Sequence, residues 1–315
     1  MSTTYLEQEE HHYSYEKGIK VYYYIPSNKG KNEECPILFV LPGMERNSKS
    51  VLANMREVAE RKKIILLSPR FDPDRYSPEM YNRGNIAIRS ASGHEYSMQE
   101  DSSQFTFKKF IGIFNDFVQR FRLTNNKCDI YGFSAGAQAL WTFLLFGSTE
   151  DISFIDKIYP FSAGRYCYPS NEIAFPNGIK GFDNISDNDL KRFFSLNICM
   201  GVGLLDNSEE TRNLPNSDFD IQFGNGRVDR AIHFHTFCKN LALHKNIPFN
   251  WTELLTIPGI AHNNSTKYSL EGKLEKPGMA KYFINFYRSL SDPLHQTSKR
   301  ITSSLDDRIE EDDSR

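Results

Sequence analysis

Residues 127–136, Lys-Cys-Asp-Ile-Tyr-Gly-Phe-Ser-Ala-Gly, decide the reading of this chain. Cys128 to Tyr131 is a short apolar run suited to a buried strand, and Gly132-Phe133-Ser134-Ala135-Gly136 follows it directly. The apolar positions from Gln138 to Phe146 then recur at helical spacing. Strand, G-x-S-x-G and helix in that order form a nucleophile elbow, which holds a serine at a strained backbone position with its oxygen off the end of the sheet. Strand and helix pass close at such a turn, so Gly132 and Gly136 supply room as well as permissive dihedrals. The bare motif carries little information, and the flanking strand and helix give it weight. Ser134 is therefore the candidate nucleophile.

A serine hydroxyl needs a positioned base, and that base needs an orienting acid. On an open parallel sheet both partners sit on loops past the C-terminal ends of later strands. The run Leu196 to Val202 reads as a strand leading into Gly203-Leu-Leu-Asp206, and Asn250 to Ile257 as another leading into Pro258-Gly-Ile-Ala-His262. The order Ser134, Asp206, His262 is the one this elbow requires. Asp218 and Asp220 are fallback acids, farther from a strand end. His233 and His235 lie on a helical pattern and read as core or surface residues, and His11-His12 as a solvated pair. The oxyanion donors expected are the backbone N–H of Ala135, next to the serine, and that of Met44, on the loop after the strand Pro36 to Leu41. Asp206 in a turn, His262 on an exposed loop and Gly43 as a plain strand terminator are the bland readings of the same residues.

Outside the elbow, Tyr13–Tyr15 and Lys20–Ile25 read as a hairpin, and Pro36–Leu41 and Ile64–Leu67 as buried strands. A helix capped by Asn47 or Ser48 extends to about Arg61. Residues 70–103 are a long polar segment with little periodicity, expected as an ordered wall of the site. From Gln104 to Phe121, seven apolar positions at helical spacing predict a core-facing stripe. A strand Asp156–Phe161, an irregular, lid-like insertion over 164–195, a helix Arg227–Lys245 and a closing helix Gly278–Leu290 complete the pattern. Strands alternating with helices predict an α/β architecture, a mostly parallel central sheet covered on both faces. Residues 1–295 form the expected domain, and 296–315 a charged, disordered tail.

Composition narrows the function classes. In 315 residues, 39% hydrophobic content with 24 Phe and 16 Tyr suffices for one large core, and the net charge of -2 gives no sign of a nucleic-acid binder or a polybasic membrane surface. No nucleic-acid partner, membrane span or metal is expected. The five cysteines are widely spaced with no C-x-x-C pair, which fits a reducing compartment. With no apolar leader at the N-terminus of the chain as given, the expectation is a cytoplasmic protein.

The chain resembles the α/β-hydrolase superfamily, and within it the esterases grouped with polyhydroxybutyrate depolymerases and feruloyl esterases. The resemblance spans residues 30–290. It rests on Leu41-Pro-Gly-Met-Glu-Arg-Asn47, Tyr81-Asn-Arg-Gly-Asn85, Gly132–Gln138, Leu205-Asp-Asn207 and Pro258-Gly-Ile-Ala-His-Asn263. It implies a Ser134-His262-Asp206 triad, an oxyanion loop around Gly43-Met44, a lid at 164–195, no cofactor and a small-molecule or oligomeric ester as substrate. Pro42 stands where relatives commonly carry His. Tyr81, Tyr166 and Tyr168, with Phe175 and Phe182, are candidates to line an acyl or aryl pocket, or to pin their segments to the core. Arg83 and Arg89 are candidates to meet a carboxylate. A thioesterase or peptidase on the same triad, and an inactive binding module, are the alternatives.

Overall fold

The computed structural model describes residues 11–27, 30, 34–90, 96–182, 185–207, 222–268 and 273–287. Its strands are β1 His12–Tyr15, β2 Ile19–Tyr24, β3 Ile37–Leu41, β4 Ile65–Arg70, β5 Ala87–Arg89, β6 Tyr96–Met98, β7 Cys128–Phe133, β8 Ile155–Phe161, β9 Gly201–Gly203, β10 Leu255–Ile257, β11 Lys267–Tyr268 and β12 Leu274–Lys276. Its helices are α1 Ser48–Lys62, α2 Pro78–Asn82, α3 Lys108–Arg120, α4 Ala135–Phe146, α5 Thr149–Ile152, α6 Asp187–Ser195, α7 Arg227–His244 and α8 Met279–Phe286.

Eight strands form one sheet in the order β1-β2-β4-β3-β7-β8-β9-β10. The pairings from β4 through β10 are parallel, and β1 and β2 add an antiparallel edge. Every residue of β3 and of β7 is buried, which is why these runs read as continuous apolar stretches rather than alternating ones. Their side chains serve two layers. Ile37, Phe39 and Leu41 join the larger core cluster, while Leu38 and Val40 join a second one with residues of α1 and α8. The larger cluster holds the phenylalanine stripe of α3, in which Phe110, Phe114 and Phe117 are buried. Nearly all of α4 is buried, and its Trp141 packs on Phe193, Phe234 and Trp251.

Several expectations need adjustment. Ile65–Arg70 continues as strand through Ser68-Pro69, because β2 runs antiparallel beside it and pairs Val21 with Pro69. The run 196–202 pairs as β9 only from Gly201, and 250–257 as β10 only from Leu255. Before those points the two runs meet the sheet sparsely: Ile198 forms an isolated parallel bridge with Ile158, and Thr252 N–H donates to Ile198 O at 2.9 Å. The insertion 164–195 ends in a helix, α6, which opens with a Ser186–Asp189 capping box. Within 70–103 lie α2 and the β5–β6 pair. The expected tail lies outside the described residues.

Two glycines set the geometry at the end of the sheet. A Cβ on Gly136 would sit 2.1 Å from the Leu41 carbonyl oxygen, and one on Gly132 would sit 2.6 Å from that of Gly136. Backbone cannot yield there as a flexible side chain would. Gly136→Ala is therefore expected to lower stability by about 1–3 kcal/mol, the usual cost of overpacking. Urea denaturation measures it, and an unchanged midpoint would refute the close-packing account.

Candidate active site

The ends of β7, β9 and β10 carry the three expected residues. Ser134 follows β7 with φ 53° and ψ -112°, a left-handed conformation that costs a non-glycine residue energy and persists only where packing imposes it. Its N–H donates to Phe161 O at 2.9 Å, which ties the turn to the end of β8. The β9 and β10 loops are tied to one another. Leu204 N–H donates to Ile257 O at 2.8 Å, and Leu205 N–H to Ile260 O at 3.0 Å. A Cβ on Gly203 would meet Ile260 O at 2.1 Å, so this approach also depends on a missing side chain.

That scaffold brings the side chains into series. His262 Nε2 lies 2.9 Å from Ser134 Oγ, and His262 Nδ1 lies 2.7 Å from Asp206 Oδ2. An ionised carboxylate can only accept, so Nδ1 carries the proton and Nε2 is left as acceptor for the serine hydroxyl. The imidazole stacks on Phe133 at 4.9 Å between centroids. Tyr131 donates its hydroxyl hydrogen to Asn264 Oδ1 at 2.9 Å, anchoring the loop beyond the histidine. Asp206 is fully buried, and its second oxygen, Oδ1, accepts from Arg227 Nη1 at 3.2 Å. Arg227 is itself buried at the start of α7.

Burial is the main force on His262 and holds its pKa below the usual histidine range. Asp206 pushes the other way, and the Arg227 cation adds to the lowering. The neutral ring that a general base requires is thus favoured.

Two backbone donors are vacant beside the serine. Neither Ala135 N–H nor Met44 N–H makes a hydrogen bond among the described residues. A Cβ on Gly43 would lie 3.6 Å from Ser134 Cβ, so the loop abuts the elbow. Arg46, behind this loop, is buried and bonds its carbonyls. A cavity of about 880 Å³ opens over Ser134 and His262, bounded by Met44, Arg83, Arg165 and Lys267 among others. It also takes in Asn82, Gln138 and Asn264 alongside Val51, Pro78 and Phe133, so its wall mixes polar and apolar surface.

The expected aromatic pocket is corrected here. Tyr81 is fully buried and donates to Pro42 O at 2.8 Å. Tyr166 is buried, stacked on Phe234 at 4.4 Å. Tyr168, Phe175 and Phe182 belong to the same core. Large rings gain more from the apolar interior than from a wet cleft, and of the described residues in 164–195 it is Gly164 and Arg165 that reach the cavity. Arg83 does line it, with Nη1 bonded to Tyr96 Oη at 2.5 Å. His235 Nε2 donates to Thr252 O at 2.9 Å as a core residue, and His233 meets the Tyr168 hydroxyl at 3.0 Å. Asp218 and Asp220 lie outside the described residues. Sequence reading did not find roles for Arg46 and Arg227, since nothing in a sequence distinguishes a buried arginine from a solvated one.

The sequence matches no family model and no curated protein. Solved structures do match. LpqC, the poly(3-hydroxybutyrate) depolymerase from Bordetella parapertussis, aligns with a TM-score of 0.71 at 21% identity, over 81% of this chain and 85% of that one. Poly(aspartic acid) hydrolase-1 from Sphingomonas sp. KT-1 aligns with a TM-score of 0.71 at 23% identity, over 81% and 93%. This is an α/β-hydrolase fold. No helix among the described residues is long and apolar enough to cross a membrane.

In a site of this geometry the pH dependence carries the signature of the buried ion pair. Any reaction that uses His262 as base should keep its acid limb below the ordinary histidine range. Arg227→Met removes a cation that disfavours imidazolium, so the limb should move to higher pH. The pH dependence of serine-directed labelling measures both, and a limb that stays put in the variant would contradict the assignment.

Proposed function

We propose that this protein hydrolyses carboxylic esters through an acyl-enzyme on Ser134. The observation that carries the reading is the unbroken series from Ser134 Oγ through His262 to Asp206, at 2.9 and 2.7 Å, beneath an open cavity. In this mechanism Ser134 Oγ attacks the carbonyl carbon while His262 Nε2 takes its proton. The carbonyl electron pair moves to oxygen, which Met44 N–H and Ala135 N–H stabilise. Collapse expels the alcohol, protonated by His262. Water then attacks the acyl group with His262 again as base, releasing acid and restoring the serine. Asp206 holds the tautomer and steadies the imidazolium.

The charged side chains in the cavity wall support a substrate with a polar or anionic group beside the scissile ester. Three cationic side chains, Arg83, Arg165 and Lys267, and one acid, Glu45, line the cavity; Arg83 also lies 3.9 Å from Glu79, and Arg227 is engaged by Asp206. An ester carrying a free carboxylate suits this balance, as does the kind of substrate named for the poly(aspartic acid) hydrolase of the same fold. A thioesterase or peptidase would use the same groups, and an inactive binding module would keep them without turnover.

A fluorophosphonate is expected to modify Ser134 stoichiometrically, as located by peptide mass spectrometry, and to fail on His262→Ala. Absence of adduct on folded protein would favour the binding module. Ser134→Ala should lower kcat/KM by about a millionfold, and Asp206→Asn by about ten-thousandfold. Matched ester, thioester and amide substrates separate the three hydrolase readings.

A p-nitrophenyl hemisuccinate should exceed the isosteric butyrate by about tenfold in kcat/KM, with the ratio shrinking in 0.5 M salt as screening sets in. Equal rates would remove the anionic preference and leave the esterase reading standing.

A further inference from the structure

Arg46 is 1% exposed and has no carboxylate partner among the described residues. Its Nη1 donates to Met44 O at 2.6 Å and reaches Gly43 O at 3.3 Å, while its Nε is buried without a partner. The guanidinium lies over the Tyr81 ring, 3.7 Å from the centroid. Tyr81 is fully buried, and its hydroxyl donates to Pro42 O at 2.8 Å. Three consecutive carbonyls, those of Pro42, Gly43 and Met44, are therefore gripped by one stacked Arg–Tyr pair.

A trans peptide unit is planar, with its C=O and the following N–H pointing in opposite directions. Fixing Gly43 O toward Arg46 thus aims Met44 N–H away from it. Arg46 N–H also donates to Gly43 O, at 3.0 Å, closing the turn on the same carbonyl. Ser134 lies close by, within van der Waals distance of where a Gly43 side chain would begin. Arg46 itself adopts φ 52°, a conformation L-residues avoid unless surrounding contacts impose it. Burying a cation with no counter-ion is costly as well. Loop carbonyls satisfy part of the guanidinium and the aromatic face part of the rest, as cation–π contacts do when desolvated.

We propose that Arg46, braced by Tyr81, is the positioning residue of the oxyanion loop. It holds the Gly43–Met44 peptide with its N–H presented to the oxyanion that forms at the carbon bonded to Ser134. Its fixed charge behind that peptide also reinforces the peptide dipole as negative charge develops. This inference rests on the ester-hydrolase reading and reassigns Tyr81 from substrate contact to support of the loop. A plain fold anchor at the entry to α1 is the competing role, and it predicts lost stability with unchanged chemistry per folded molecule.

The test uses the full chain with Arg46→Met, Arg46→Lys and Tyr81→Phe. The readouts are kcat and KM on p-nitrophenyl acetate, fluorophosphonate labelling rate at Ser134, and Ki for a phenylboronic acid. The boronate's tetrahedral adduct places an oxygen where the oxyanion forms. Rates are normalised to folded protein by thermal melts and active-serine titration. Arg46→Met is expected to lower kcat and weaken the boronate by about 30- to 300-fold in parallel, with KM within about threefold, the pattern of a lost oxyanion interaction. Arg46→Lys should recover part of that loss, and Tyr81→Phe should lower kcat by about three- to tenfold. A melting temperature that falls while kcat per folded molecule and boronate affinity stay within twofold would overturn the proposal. If Arg46→Met does not fold, the other two variants decide: unchanged kcat and Ki in both overturn it, and reduced kcat at constant KM supports it. Wild-type protein that neither turns over ester nor takes the label removes the hydrolase reading and this inference together. A wild type that does both leaves that reading intact whatever the variants show.

Discussion

The crossing of α4 over the end of β3 fixes where everything else at the site can be. With no side chain at Gly136, the first turn of α4 sits directly against Leu41 O and Pro42 O. The strand-to-helix turn is consequently tight enough to force Ser134 to φ 53°. That conformation stores strain, and the turn persists because strand β7 is buried on both faces and paired on both sides. The same approach places the loop after β3 beside the serine. One steric condition at the elbow therefore determines both the exposure of the hydroxyl and the location of the donors next to it.

Electrostatics are then arranged around a fully buried carboxylate. Asp206 divides its two oxygens between His262 and Arg227. The two partners act on the imidazole in opposite senses: the carboxylate favours its charged form, while the nearby guanidinium and burial favour the neutral one. A base held neutral at rest but stabilised on protonation suits a group that must accept and return a proton each cycle. Removing either partner would leave an uncompensated charge in the interior, which is the expensive failure for such pairs.

Much of this was legible in the sequence, and the reasons are local. Ser134 stands out as a candidate because glycines flank it between a buried strand and an apolar helix. Asp206 and His262 stand out because each follows an apolar run that ends in a turn, and the fold brings all three together. The strands themselves are shorter than their runs suggest. Ile198–Met200 and Trp251–Thr252 are buried ahead of the paired strands and meet the sheet only through the Ile158–Ile198 bridge and a few backbone bonds, so hydrophobicity reports burial more closely than regular pairing. The aromatic residues of 164–195 were ambiguous for the same reason, since a ring that lines a cleft and a ring that fills a core have the same composition. Arg46 and Arg227 could not be read at all. The partners of Arg46 are backbone carbonyls and a ring, and those of Arg227 lie across the fold, so neither leaves a trace in spacing.

The two buried arginines make the site more than three aligned side chains. Arg227 is compensated by Asp206 and adds to the lowering that burial imposes on His262. Among the described residues Arg46 is met by carbonyl dipoles and the Tyr81 face, so its charge is less completely cancelled where it faces the Gly43–Met44 peptide. In a medium of low effective dielectric, an incompletely cancelled cation favours whatever state places negative charge nearby. In the proposed mechanism a tetrahedral intermediate places such a charge beside the Gly43–Met44 peptide. Stabilisation that is realised only when the oxyanion appears lowers the barrier instead of tightening the ground state. In that mechanism, the cost of burying Arg46 beside a strained Ser134 would thus be offset by favouring acyl transfer over passive binding.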